Sequence, residues 1–103
     1  SEKNLRKKRR LMAYIITKYT KAQAKKIGVI VKLSGTKGKK IDVFKGGKKV
    51  ASVGAIGYGD YPTFLKSKGK KYADERRELY KKRHQKNRNK LNTNGYYADK
   101  LLW

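Results

Sequence analysis

The sequence predicts an α+β fold: a small three-stranded antiparallel meander followed by a basic helix, with an extended or helical N-terminal arm. Three observations support this prediction. Apolar residues alternate between positions 27 and 33, a Gly-Gly pair separates the next two apolar runs, and helical spacing returns from Lys71 to Arg88. A chain of 103 residues has room for one domain. We divide it into a basic N-terminal arm or helix (1–26) and a small α+β body with an aromatic C-terminal anchor (27–103).

The N-terminal stretch begins with a basic arm over residues 1–10. After it, Leu11, Ile15, Tyr19 and Ala22 follow one another at steps of four, four and three residues, which predicts one apolar stripe on a helix. The alternative is a strand, because residues 14–17 are rich in β-formers.

The middle of the chain predicts the three strands. The first runs from Ile27 to Leu33, and a turn-rich loop follows it over residues 34–39. The apolar runs at residues 41–44 and 50–53 flank Gly46-Gly47, a pair that suits a two-residue hairpin turn. Three glycines between residues 54 and 59 then interrupt regular structure, and the run Asp60-Tyr61-Pro62 ends the meander.

A basic helix is predicted from Lys71 to about Arg88. Tyr72, Leu79 and Tyr80 lie on one side of it. Acidic residues occupy its first turns and basic residues its later ones, an order that complements the helix dipole.

Composition restricts the classes of protein. The chain has 30 Lys and Arg against 7 Asp and Glu, a net charge of +23, and it has no cysteine. Leu, Ile, Val and Phe make up about 20 % of the residues, at the boundary where high net charge predicts disorder. We therefore expect the chain to need a partner to become ordered. No apolar run approaches the 18 residues that cross a bilayer.

The sequence predicts no enzyme, no cofactor, no metal and no small-molecule substrate. His84 is the single histidine, and no Cys is present to share a metal with it. The glycine-containing segments 35–40 and 54–59 lack the spacing of phosphate-binding and dinucleotide-binding loops. No pair of carboxylates is placed convincingly for acid–base catalysis.

Charge is distributed unevenly along the chain. Residues 1–26 carry +9, residues 27–65 carry +5, residues 66–90 carry +9, and the last 13 residues are neutral. The run Lys7-Lys8-Arg9-Arg10 is a candidate polyanion-binding segment, although it also fits a nuclear import signal. The 23 lysines against 7 arginines favour diffuse attraction to nucleic acid, and an anionic membrane surface is a further alternative.

Two other groups of residues are candidates for binding a partner. The first is the arginine cluster of the predicted helix, where Arg76, Arg77 and Arg83 alternate with Tyr80 and His84; a solvated helix face is the competing interpretation. The second is the C-terminal segment, which is apolar enough to bury itself either in this chain or in a neighbour. Its candidate residues are Tyr96, Tyr97, Leu101, Leu102 and Trp103.

Three motifs of the second half resemble a family of short basic proteins encoded by large double-stranded DNA viruses of algae and protists. They are G-x-x-D-Y at residues 57–61, R-x-x-Y-x-x-R-H-x-K at residues 77–86, and a terminal Gly-Tyr-Tyr followed by Leu-Leu-Trp at residues 95–103. The resemblance covers residues 27–103. It implies a viral protein located in the virion and, during assembly, in the host cytoplasm or nucleus.

The function we predict is a minor capsid protein, a structural component of a large DNA virus particle. It would act as cationic glue between capsid subunits, or between the shell and an internal membrane, with viral capsid proteins as its partners and the aromatic C-terminus as its anchor. The alternative is a viral DNA-binding protein that condenses DNA. A ribosomal protein is a third possibility that charge and length suit, although we recognise no ribosomal motif.

Overall fold

The computed structural model describes residues 14–103, and within them a three-stranded antiparallel sheet packs with four helices. The predicted α+β class and its meander are confirmed. The basic segment Lys7 to Arg10 lies outside the described residues. The elements in chain order are α1 (Lys18–Ile27), β1 (Ile30–Leu33), β2 (Lys39–Lys45), β3 (Lys48–Ala55), α2 (Tyr61–Lys68), α3 (Lys70–Arg83) and α4 (Asn94–Leu102).

Helix α1 begins later and ends later than the apolar stripe predicts. Thr17 has an extended backbone and its side chain accepts a hydrogen bond from the amide of Thr20, so it caps the helix. Gly28 ends the helix with φ 72°, a conformation that glycine adopts without a steric cost. The helix thus extends one residue past the boundary placed at residue 26. Its Thr20 hydroxyl donates a hydrogen bond to the carbonyl of Leu101 at 2.9 Å, which connects α1 to α4.

The sheet has the order β1-β2-β3, and its register places the apolar residues of neighbouring strands side by side. Ile41 pairs with Leu33 and Val53, while Val43 pairs with Val31 and Ala51. The hairpin turn is the predicted Gly46-Gly47, with φ values of 59° and 80°. Both are positive, as a two-residue turn of the type that matches strand twist requires.

A core forms although the composition predicts too little apolar material for one. The apolar residues are concentrated on one face of the sheet, and α1 and the C-terminal helix α4 cover that face. This burial removes these apolar side chains from water. The core residues are Ala24, Val29, Ile41, Val43, Ala51, Val53, Tyr97, Leu101 and Leu102.

The helical half differs from the prediction at three points. Helix α3 ends at Arg83 instead of near Arg88, because residues 84–93 form turns that carry no apolar residue into the core. Helix α2 was not predicted, although Asp60 caps it by accepting a hydrogen bond from the Thr63 amide at 3.1 Å. Helix α4 was not predicted either; Thr93 caps it and accepts from the Tyr96 amide. No helix within residues 14–103 has the length and apolarity to cross a membrane.

Asp42 ties the loop after β1 to the sheet. Its carboxylate accepts hydrogen bonds from the hydroxyls of Ser34 and Ser52, each at 2.6 Å, and from the amide of Gly35 at 3.4 Å. The two serine hydroxyls, followed by the Gly35 amide and the charge of Lys49, hold the pKa of Asp42 below its usual value.

A carboxylate whose pKa is lowered by folding stabilises the native state at neutral pH. This stabilisation is present above the unfolded pKa of about 3.9 and disappears as the pH falls through the lower folded pKa. We therefore expect Asp42→Asn to lower the urea midpoint at neutral pH, with the difference from wild type closing as the pH falls through the lowered pKa of the folded state. Glu75→Gln, at an exposed position, is the control. A difference for Asp42→Asn that is independent of pH would contradict this role.

Candidate partner-binding cleft

A cleft of about 460 Å³ opens between the end of β3, the loop over residues 56–60 and the three helices of the second half. Its volume falls in the range of sites that bind small ligands. We call it the basic–aromatic cleft, because its walls combine cationic side chains with aromatic rings: Arg76, Arg83, His84, Phe64, Tyr80 and Trp103.

Helix α3 supplies one wall through residues spaced by one and two helical turns. Tyr80 packs against two other rings, with its centroid 4.4 Å from that of Trp103 at an interplanar angle of 9° and 4.3 Å from that of His84 at 31°. Stacking of this kind stabilises the pairs beyond their area of contact. Burial, followed by the negative charge of Asp99, raises the pKa of the Tyr80 hydroxyl, which therefore stays neutral.

The opposite wall is the ring of Phe64 on α2. The Arg76 guanidinium lies 5.7 Å from the centroid of this ring, and the ring of Trp103 lies at 6.1 Å. The Phe64 ring lies directly against the backbone of Gly59, where any Cβ atom would overlap with it. Glycine at position 59 therefore allows the aromatic wall to form.

The cleft also contains a buried ion pair. Lys40 Nζ lies 3.1 Å from Asp60 Oδ2 and donates to the carbonyl of Tyr58 at 2.5 Å. The side chains of Lys40 and Asp60 are 4 % and 1 % exposed. Tyr14 donates from its hydroxyl to the same carboxylate oxygen at 2.8 Å, and burial, followed by the Asp60 charge, raises the pKa of Tyr14.

Two of the arginines act inside the fold instead of lining the cleft. The Arg77 guanidinium lies 3.4 Å from the centroid of the Tyr61 ring, and it donates to the Tyr19 hydroxyl at 3.4 Å. Arg88 lies 3.9 Å from the buried carboxylate of Asp99. Lys81 and Lys100 lie 3.0 and 3.5 Å from that carboxylate, which connects α3 to α4.

The structure brings most of the predicted helix cluster together with the C-terminus. Arg76, Tyr80, Arg83 and His84 all line the cleft, and Trp103 joins them. Arg77 does not, because its guanidinium packs against Tyr61.

The predicted C-terminal anchor is only partly available to a partner. Tyr97, Leu101 and Leu102 are at most 1 % exposed, because α4 packs against β3 and α1. They belong to the core of this chain, although Leu102 also reaches the cleft wall. In the folded protein, only Tyr96 and Trp103 of the anchor residues remain half-buried and can contact a neighbour.

Lys40, Asp60 and Phe64 are parts of the cleft that reasoning from the sequence missed. A signal for Asp60 was present, since an acidic residue followed by proline two positions later is typical of a helix start. Nothing in the sequence pairs Lys40 with Asp60. Within residues 14–103, no group of three His, Cys, Asp or Glu side chains converges on a metal site.

No model of a known protein family, no curated protein and no solved structure matches this chain. The likeness of its motifs to the family of viral basic proteins therefore stays a prediction.

Proposed function

We propose that this protein is a minor structural protein of a large DNA virus particle. In that role it is a folded cationic linker, which binds acidic surfaces of neighbouring capsid subunits or an acidic surface between the shell and an internal membrane. The motifs that resemble the viral family support the setting, and the distribution of charge supports the role.

The observation that carries the proposal is the location of the carboxylates. Asp42, Asp60 and Asp99 are buried in internal contacts, and Asp74, Glu75 and Glu78 are the acidic residues left on the surface between positions 14 and 103. The same residues hold 24 Lys and Arg, of which Lys40 alone is buried. Charges of one sign at this density repel one another, so an anionic partner stabilises the folded protein and is attracted to it from a distance.

The exposed lysines of this folded protein are suited to binding an acidic protein surface. The fold has its own core, so the protein can present its lysines from a rigid body. Exposed lysines contribute point charges without fixed geometry, which neutralise an acidic face without requiring an exact fit. This combination favours a linker that fills gaps between larger subunits.

The test is to fractionate purified particles of the encoding virus into shell, membrane and DNA core, and to quantify this chain in each fraction by mass spectrometry. We expect it in the shell or at the boundary between shell and membrane. Its absence from particles would contradict the proposal, and so would recovery with the DNA core alone.

The second candidate function is DNA condensation, which the same cationic surface favours. It requires tight binding to duplex DNA at about 0.15 M salt, with a log–log salt slope of about −0.9 for each phosphate neutralised. Titration of a duplex at several salt concentrations measures this slope. We expect weak binding at the higher salt, whereas a slope of several units together with retained affinity would favour condensation over the linker.

A further inference from the structure

We propose that the basic–aromatic cleft is a docking site for an acidic peptide segment of a neighbouring protein, with a Glu or Asp carboxylate between Arg76 and Arg83 and an adjacent apolar side chain against the aromatic wall. This inference rests on the proposed function, because it assigns the specific contact of the linker to one site. The general surface charge attracts acidic partners from a distance, and the cleft selects among them for a segment with the right carboxylate and apolar side chain.

The two arginines that line the cleft indicate that its ligand carries a carboxylate. Residues 14–103 contain four arginines; Arg77 packs on Tyr61, and Arg88 lies next to Asp99. Within those residues, neither Arg76 nor Arg83 has a carboxylate partner within 4 Å, and both line the cleft. A guanidinium presents a fixed fork of donors that matches a carboxylate, so two of them lining one cleft, two helical turns apart on α3, select for this group.

The apolar walls of the cleft indicate that the residue next to the ligand's carboxylate is apolar. Ala55, Ala98 and Leu102 line the cleft together with the rings of Phe64 and Trp103. About 460 Å³ holds a carboxylate side chain and one apolar side chain, but it is small for a longer folded element. An acidic residue next to a leucine or an aromatic residue therefore fits both the charge and the shape.

The state of the rings favours peptide over a nucleic-acid base. A base binds by stacking on a free aromatic face. Here Tyr80 already stacks on Trp103 and lies next to the His84 ring, while the Phe64 ring has Trp103 and the Arg76 guanidinium as neighbours. The rings are thus largely occupied by one another, and they offer an apolar wall instead of an open stacking platform.

The protein contains its own reporter for this site, because Trp103 is the single tryptophan of the chain and lines the cleft. The probe is a fluorescein-labelled hexapeptide of alternating Glu and Leu, with a Gln–Leu peptide as its control. Binding is followed by fluorescence anisotropy, and unlabelled peptide is titrated while Trp103 emission is recorded. We expect the Glu–Leu peptide to change Trp103 emission at about 0.15 M salt and the Gln–Leu peptide to leave it unchanged.

Two double variants with equal charge changes separate the cleft from the general surface. Arg76→Gln/Arg83→Gln removes both guanidinium groups from the cleft, and we expect it to weaken peptide binding at least about tenfold. Lys45→Gln/Lys48→Gln removes two exposed charges beside the hairpin turn, at the far end of β2 and β3 from Lys40 and Gly54. We expect this control to weaken binding by less than about threefold.

The proposal is overturned if both double variants weaken binding equally, or if Trp103 emission does not respond to the Glu–Leu peptide. A single-stranded oligothymidine is titrated in parallel. The cleft is a nucleic-acid site, and the proposal fails, under two conditions. The oligothymidine must change Trp103 emission and lose affinity in Arg76→Gln/Arg83→Gln, and the peptide must show neither effect. Far-UV circular dichroism establishes that each variant is folded. Peptide binding and particle fractionation are separate measurements, so the failure of one is distinguishable from the failure of the other.

Discussion

Replacing Leu101 and Leu102 together by alanine is expected to leave the protein largely unfolded at room temperature. The two side chains are 0 % and 1 % exposed and join α4 to the sheet face that forms the core. Each change of a buried leucine to alanine costs about 2–5 kcal/mol, because apolar contacts are lost and a cavity remains. The sum is comparable with the whole stability of a typical domain, which is about 5–15 kcal/mol.

Urea denaturation followed by far-UV circular dichroism measures this effect. Leu91→Ala is the matched control, because Leu91 is 72 % exposed, and we expect it to change the free energy of unfolding by less than about 0.5 kcal/mol. A double variant as stable as the control would show that α4 is not part of the core, and would restore the hypothesis that these leucines anchor the chain to a neighbour. For the same reason, deleting residues 101–103 would remove the fold, so particle incorporation is better tested with surface variants.

Lys40→Met is the second change with a large expected effect. It leaves the carboxylate of Asp60, which is 1 % exposed, without its ion-pair partner. Breaking a buried pair from one side costs about 3–5 kcal/mol, because the remaining charge stays out of water without compensation. Tyr14 and Thr63 still donate to Asp60, but neither carries a positive charge.

Lys39→Met provides a matched control on the same strand, since Lys39 is exposed and Lys40 is buried. We expect it to leave the urea midpoint almost unchanged. The double variant Lys40→Met/Asp60→Asn removes the stranded charge while the Asn oxygen can still accept hydrogen bonds. It should therefore be destabilised by less than the sum of the two single variants, with a coupling of more than about 1 kcal/mol. Equal midpoints for Lys40→Met and Lys39→Met would contradict the structural role of the pair.

The hairpin and most of the strands were predictable because their signals are local. The start of the first strand was wrong: Ile27 ends α1, Gly28 caps it, and β1 begins at Ile30. Alternating apolar residues define the buried face, and Gly46-Gly47 satisfies a turn that needs two positive φ values.

Helices α2 and α4 were harder to predict because each is short, at 8 and 9 residues. In α4 the four-residue step from Tyr97 to Leu101 fits a helix, but one such step is a weak signal. Their capping residues, Asp60 and Thr93, were the usable signals.

Part of the cleft was predictable for the same reason. Arg76, Tyr80 and Arg83 share one helix and His84 caps its end, so their spacing alone places them on one side of it. The other wall comes from Phe64 and Trp103, which are separated by 39 positions in the chain and meet only through packing. No periodicity connects them.

The sequence by itself determined the class of fold, the position of the turn and the excess of positive charge, since each depends on composition or on neighbouring residues. The tertiary structure alone decided which charges act inside the protein and which remain outside. The partners of Lys40 and Lys81 lie 20 and 18 residues away, at Asp60 and Asp99. Because these carboxylates are used internally, the surface formed by residues 14–103 is more strongly cationic than the net charge of those residues alone indicates. The apolar C-terminus likewise completes the core of this chain, because burying it there covers one face of the sheet.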